Sequence, residues 1–289
     1  MHAELHCERL LIRRLAAQPR AAATIRAFRR FVLEYYHAHQ RPLPWRRTRN
    51  PYHIVVSEIM LQQTQVARVA EKYPAFIAAF PTFAALAHAT LRDVLQVWHG
   101  MGYNRRALAL QRLAQAVMAE HKGRLPCMPE QLQRLPGIGK ATAASIAAFA
   151  FNQPTVFIET NIRTVFIHYF FPRRRVVHDA ELLPLVEATI DRTNPCRWYN
   201  ALMDVGTWLK ARGFSKNKRS AAHRPQPKFA GSLRELRGKI IALLTAGPAR
   251  TAAHVVRQLD AAAPRVSTCL EQLCAEGFLC RRAGRYALA

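Results

Sequence analysis

The 289-residue chain carries 43 Lys plus Arg against 18 Asp plus Glu, a formal net charge of +25, and half of its residues are apolar. That length exceeds one small domain, and the apolar share excludes global disorder. The charge favours polyanionic partners, nucleic acid first, because phosphate neutralisation supplies most sequence-independent affinity.

The six cysteines (7, 127, 196, 269, 274 and 280) are scattered, which excludes a small disulfide scaffold and predicts reduced thiols in a cytosolic protein. No apolar run is long enough to span a membrane. Residues 1–23 hold Glu4 and Glu8 among arginines, without a continuous apolar stretch, so they read as an N-terminal extension and not as a signal peptide.

Helical periodicity begins at 24–39, with Thr24 as N-cap and Phe28, Val32 and Tyr35 or Tyr36 on one stripe. The segment 41–46, Arg-Pro-Leu-Pro-Trp-Arg, leaves the helix because each proline restricts the residue before it. Helices then fit 51–62, with Pro51 in the first turn, followed by 65–80, 91–98 and 103–120. A short helix at 129–134 leads through Leu135-Pro136-Gly137-Ile138-Gly139 into a helix over 140–151. Further helices fit 161–170, 180–191 and 197–210, and no convincing strand precedes residue 210. Residues 212–232 are rich in Lys, Arg, Ser and Pro and read as a basic linker. Beyond it come helices at 233–244, 252–259 and from Pro264 to Gly277, then two short strands turned at Ala283-Gly284. The expected architecture is an all-α, two-part helical core over 24–211 and a small winged-helix-like module over 233–289. Within the core a hairpin covers about 129–151, and a second lobe is built from 24–50 plus 160–211.

The sharpest local signal is Leu132-x-x-Leu135-Pro136-Gly137-Ile138-Gly139-x-x-Thr142-Ala143. Two glycines one residue apart permit a tight turn between helices, and their amides with the next helix N-terminus can hold a phosphate. A bare Gly-x-Gly is also an ordinary helix connection. The Leu-Pro prefix and the small residues of 141–148 favour DNA-backbone binding.

From Leu43 to about Lys210 the chain resembles the helix-hairpin-helix DNA glycosylases, and among them the MutY-type adenine glycosylases. The resemblance is carried by Leu43-Pro44-Trp45-Arg46, by Ser57-Glu58-Ile59-Met60-Leu61-Gln62-Gln63-Thr64-Gln65-Val66, and by Gly100-Met101-Gly102-Tyr103 with Arg105-Arg106. The hairpin, Thr160-Asn161-Ile162-Arg163 and Met203-Asp204-Val205-Gly206 complete it, in the family's order. It implies base excision from mismatched or damaged duplex DNA. Glu58 matches the acid that protonates the leaving adenine; by itself it also reads as a solvated helix carboxylate. Glu159, with Asn161 beside it, matches the group that steadies the oxocarbenium ion. Arg41, Leu43, Trp45 and Arg46 match the lining of the flipped-base pocket, although Trp45 alone reads as core. Asp204 matches an acid near the adenine's exocyclic amine, or else pairs locally. Gln63 and Tyr103 match side chains that wedge into the duplex. With Thr64, Met101, Gly137, Gly139 and Lys140 they form the expected DNA contacts.

Four departures qualify the resemblance. The family's catalytic Asp is Glu159 here, one methylene longer. Many relatives hold a [4Fe–4S] cluster on four cysteines after the Met-Asp-x-Gly helix; residues 210–232 contain none, so no cluster and no metal are expected. The lysine used for Schiff-base chemistry in bifunctional relatives is Ala141, which predicts no lyase activity. The C-terminal Nudix-like domain of many relatives is replaced by the shorter winged-helix-like module. The expected function is monofunctional removal of mispaired adenine by a monomer acting on nucleoid DNA in the cytoplasm. A glycosylase for mismatched thymine or uracil, and a non-catalytic lesion binder, are the alternatives.

Overall fold

The computed structural model describes residues 2–214, 219–222 and 228–289, with side chains from residue 8 onward. The described residues are mostly helical and group into two compact units, each built from separated stretches of chain. One comprises 1–54, 127–133 and 139–225; the other comprises 55–126, 134–138 and 226–289.

The first unit contains α1 (His2–Ala17), α2 (Ala22–His39), a 3-10 turn (Pro44–Arg47), the first turn of α3 (Pro51–Leu61), α8 (Pro129–Leu132), α9 (Lys140–Phe151), α10 (Thr160–Phe170), α11 (Asp179–Thr189) and α12 (Pro195–Ala211). Its core is aromatic. Phe28 of α2 is fully buried among Phe166, Tyr169, Phe170 and Trp198, with ring centroids 5.2–6.0 Å away and mostly edge-on geometry. Arg29, next along α2, donates to the carbonyls of Ala188, Thr189 and Ile190 and so closes the C-terminal end of α11.

Two expectations are corrected here. Thr24 is not an N-cap: the helix starts at Ala22, and Thr24 is buried within it. Of the expected extension, His2–Ala17 form α1 and 22–23 begin α2, and α1 packs on α2 and α10. Glu8 fixes that contact, accepting from Tyr169 Oη at 2.9 Å and from Arg212 at 3.2 Å. Burial raises the Glu8 pKa, but hydrogen bonds from His168, Tyr169 and Arg212 outweigh it and hold the carboxyl below its usual range. The expected linker at 212–232 falls partly outside the described residues; 219–222 are ordered against the unit. Val177 and Ser220 form a parallel bridge, and Arg219 donates to the carbonyls of Phe171 and Arg174.

The second unit contains the rest of α3, α4 (Val66–Ala79), α5 (Phe83–His88), α6 (Leu91–Val97), α7 (Arg105–His121), and the C-terminal α13 (Leu233–Ala246), β1 (Arg250–Thr251), α14 (Ala252–Leu259), α15 (Ala263–Ala275), β2 (Leu279–Arg282) and β3 (Arg285–Leu288). The last six elements follow the winged-helix order, with an antiparallel sheet β1-β3-β2 that pairs Leu279 with Leu288 and Arg282 with Arg285. Helix α5 and strand β1 are absent from the sequence reading; six residues and two residues give no usable periodicity.

Candidate active site

In the first unit, Glu159 is the N-cap of α10. Its Oε1 accepts from the amides of Asn161 at 2.7 Å and Ile162 at 2.9 Å, which satisfies two of the helix's orphan donors. Its Oε2 accepts from Asn161 Nδ2 at 3.2 Å, and Asn161 Oδ1 accepts from Lys210 Nζ at 2.6 Å. A chain Lys210–Asn161–Glu159 therefore fixes the carboxyl at a helix N-terminus. Burial raises the Glu159 pKa above its ordinary value, while the Ile162 amide, Lys210, the Asn161 amide and Arg163 pull it down without cancelling the rise. Lys210 shifts the opposite way: burial lowers its pKa, and Glu159 offsets only part of that. One turn on, Arg163 makes a bidentate pair with Asp179 at 2.9 and 2.7 Å, tying α10 to α11.

This cap depends on Gly206 of α12. A Cβ there would lie 2.5 Å from Asn161 Cβ, 2.6 Å from its carbonyl oxygen and 2.8 Å from its Cα. The obstacle is mostly backbone, so it cannot swing aside. Gly206→Ala should destabilise the protein by about 1–3 kcal/mol, as overpacking does. Because the displaced residue is Asn161, single-turnover excision should fall further than the loss of folded protein explains. Urea unfolding alongside single-turnover rates checks this.

Asp204, in the C-terminal half of α12, is 2% exposed. Its Oδ1 accepts from Arg41 Nε at 2.5 Å and Arg46 Nη2 at 3.0 Å; its Oδ2 accepts from Arg46 Nη1 at 2.7 Å and the Arg41 amide at 3.1 Å. A carboxylate offers about four lone-pair sites, and all are used. Asp204 thus pairs locally, the other reading the sequence left open, and buckles the 41–46 segment to α12. Trp45 is buried in the 3-10 turn, and Leu43 is half-buried at its start.

In the second unit, Glu58 is half-buried on α3, between buried Ser57 and buried Ile59 and Met60. The chain turns at the end of α3 through Gln63 (φ 53°) and, before α7, through Tyr103 (φ 49°). Both are exposed, and both occupy the left-handed region that side-chain-bearing residues rarely adopt. One residue holds both turns. Buried Arg106 donates through Nη1 to the carbonyls of Ile59, Met60 and Gln62 at 3.1, 2.7 and 2.5 Å. Through Nη2 it donates to Thr64 Oγ1 at 2.9 Å and to the carbonyls of Met101 and Gly102 at 3.3 and 3.2 Å. Its guanidinium also lies over Trp98 and Tyr103, 5.4 and 5.3 Å from the ring centroids. Burial pulls its pKa down to about 10, which leaves it charged at neutral pH. Met101, expected among the DNA contacts, is 2% exposed; its side chain is core and only its carbonyl takes part, as an acceptor for Arg106.

The hairpin turns at Gly137 (φ 78°), where an added Cβ would come 2.9 Å from Ala109 Cβ. Gly139 caps α9 with no side-chain hydrogen bond, and no acid follows in the first turn. Gly137, Gly139, Lys140 and Ala141 are exposed. Sequence reasoning missed Lys210 and Arg106 as functional positions. Both are cations among 43, and only burial and partners set them apart.

The family model for HhH-GPD superfamily base excision DNA repair proteins matches residues 56–183. The adenine DNA glycosylase of Homo sapiens is 37% identical over 200 residues, covering 65% of this chain and 36% of the human protein. That of Mycobacterium tuberculosis (strain CDC 1551 / Oshkosh) is 32% identical over 287 residues, covering 89% of this chain and 92% of the relative. A thermostable thymine-DNA glycosylase of known structure shares the fold, with a TM-score of 0.58 at 24% identity over 68% of this chain and 91% of the other. The aligned region spans only 36%, 38% and 50% of the human, rat and Buchnera aphidicola (strain Bp) adenine DNA glycosylases. With the mycobacterial relative matched over nearly its whole length, the chain belongs to the adenine DNA glycosylase family of the HhH-GPD superfamily.

Proposed function

We propose that this chain is a monofunctional DNA glycosylase that hydrolyses the N-glycosidic bond of a mispaired adenine in duplex DNA, acting as a monomer on nucleoid DNA in the cytoplasm. The observation that carries the reading is the Glu159 carboxyl, fixed by two helix amides, Asn161 and Lys210. A preorganised anion of this kind costs no reorganisation when positive charge develops on the sugar. Protonated Glu58 gives its proton to the departing base, the C1′–N bond breaks, and water adds to C1′. Glu159 faces the cation as an anion and accepts the water's proton. Gln63 and Tyr103 fill the space the base leaves, and the amides of α9 with Lys140 hold phosphate.

Two absences belong to the same proposal. Ala141 offers no amine for a Schiff base, so no lyase step follows excision. The family's four-thiolate cluster is not expected on this chain, because residues 210–232 contain no cysteine and four thiolates are needed to hold it. No helix among the described residues is long and apolar enough to cross a membrane.

The test is a panel of duplexes, each with one mispair, treated with alkali after single-turnover incubation. Scission should occur at adenine, only after alkali, and borohydride should trap no protein–DNA adduct. Release of thymine or uracil in place of adenine would replace the substrate assignment, and a trapped adduct would remove the monofunctional one.

A pH experiment tests the Glu159 carboxyl. Glu159 works ionised, so excision should fail as pH drops through its raised pKa. Lys210 is one of the groups holding that pKa down. Lys210→Met should therefore move the acidic limb of the single-turnover profile to higher pH and leave the alkaline limb in place. An unmoved acidic limb would assign it to another group.

A further inference from the structure

The C-terminal module has the winged-helix order, yet its helix at the usual base-reading position is ill suited to DNA. Helix α15 carries one cation, Arg265, whose Nη2 donates to the Gly231 carbonyl at 2.6 Å, and its exposed face includes Glu271. The cationic element is the wing. Ala283 (φ 45°) and Gly284 (φ 73°) make a two-residue turn with both residues at positive φ, the geometry that suits a tight hairpin. Around that turn stand Arg281, Arg282 and Arg285, all exposed. Arg282 and Arg285 are directly opposite in the ladder, where like charges repel. No acid among the described residues pairs with any of the three. Arg281 lies over Tyr286, 5.6 Å from its ring centroid. Two opposed, unpaired arginines destabilise the hairpin they sit on, and local rules of this kind are broken where a ligand supplies the missing partner.

The wing is not on a loose tether. Glu276, just after α15, accepts from Arg105 of α7 at 2.8 and 2.5 Å and from Arg237 of α13 at 2.6 Å. The Glu276 carbonyl accepts from Arg112 at 3.0 Å, and Arg92 of α6 donates to the Thr245 carbonyl. The Arg105 hydrogen bond, helped by Arg237, outweighs burial and holds the Glu276 carboxyl below its usual range. The module is thus clamped to the helices of its own unit, which also carries the Gln63 and Tyr103 turns.

We propose that the β2–β3 wing, through Arg281, Arg282 and Arg285, is a second binding site for the phosphate backbone of duplex DNA, separate from the excision machinery and without base readout. The identity of the ligand as duplex DNA rests on the glycosylase reading above. Rigid attachment makes its contacts add to those of the Gln63 and Tyr103 turns of its own unit, which raises affinity and residence on undamaged DNA.

The test uses the full-length protein and an undamaged labelled duplex, with Kd measured across a salt series. Arg282→Gln/Arg285→Gln removes two exposed arginines without an acid partner among the described residues and relieves their repulsion, so the melting temperature should hold or rise. The slope of log affinity against log salt should become shallower by about 2, close to 0.9 for each phosphate that is no longer neutralised, and affinity at physiological salt should fall about tenfold. Arg282→Lys/Arg285→Lys should keep most of the slope. Single-turnover excision at saturating enzyme should stay at the parental rate in both. A parental slope and Kd in a double Gln variant that melts normally would overturn the proposal and leave the wing as solvated surface. Because binding to undamaged duplex is read without excision, loss of the adenine assignment in the mispair panel would not by itself change this outcome.

Discussion

Arg106→Met should cost about 4 kcal/mol or more of stability and abolish detectable excision. The reason is the number of groups one side chain serves. Five carbonyls and the Thr64 hydroxyl receive its hydrogen bonds, and a methionine of similar volume would leave them unsatisfied inside the protein. Arg106→Lys should rescue little, because an ammonium has three donors and cannot reproduce a planar fork that reaches two turns at once. The functional effect should exceed the thermodynamic one. Gln63 and Tyr103 are held at positive φ, a conformation that persists only where surroundings over-determine it. With the clamp gone, both turns relax and the wedge residues lose their placement. Thermal unfolding gives the first effect. For the second, 2-aminopurine placed beside a mispair reports base unstacking on binding, and its fluorescence should stay at the free-duplex level in the Lys variant at temperatures where that variant is folded. Parental excision by Arg106→Lys would show that the turns hold themselves.

Glu159→Gln should lower the single-turnover rate by about two to three orders of magnitude, the range seen when one preorganised electrostatic group is removed. The amide oxygen can still cap Asn161 and Ile162, so this variant separates charge from capping. Two effects on its stability oppose: the amide NH2 cannot accept from Asn161 Nδ2, but the folded-state pKa of Glu159 is raised, so ionisation works against folding, and the parent loses stability as pH rises from the unfolded to the folded value. The Gln variant lacks that loss. Glu159→Ala should be as inactive and about 1 kcal/mol less stable, because the cap goes too. Glu159→Asp should retain activity within about tenfold, since Asp is itself a favoured N-cap for the amides that Glu159 now engages. Full activity of Glu159→Ala would remove the residue from the mechanism.

Much of this was readable from the chain. The long helices show their periodicity, and the hairpin, the Ser57-Glu58 run and the Thr160-Asn161 segment mark their places by sequence alone. The unread parts share a cause: they are defined by partners distant in the chain. Arg106 lies next to Arg105 in sequence, yet one is buried under six acceptors and the other pairs with Glu276 of the C-terminal module. Lys210 reads as the basic end of a helix, and only Asn161, 49 residues earlier, gives it a role. Asp204 reads as a base contact or a local pair, and only the fold shows Arg41 and Arg46 on both its oxygens. Helix α1 reads as an arginine-rich extension because its anchors among the described side chains are few: Leu15, which is fully buried, and Glu8, which meets Tyr169 and Arg212.

The Glu276 joint also changes what a truncation would measure. Ending the chain before the C-terminal module does not subtract an independent part. It strips Arg105, Arg112 and Arg92 of the acceptors that now engage them, and leaves three newly bare cations on α6 and α7. Such a fragment would bind DNA with an artificial surface, and its nonspecific affinity could equal that of the whole protein although the wing was gone. The shortened protein would look self-sufficient for reasons that belong to the cut. Point substitutions on the wing, with the joint left whole, keep the two effects apart.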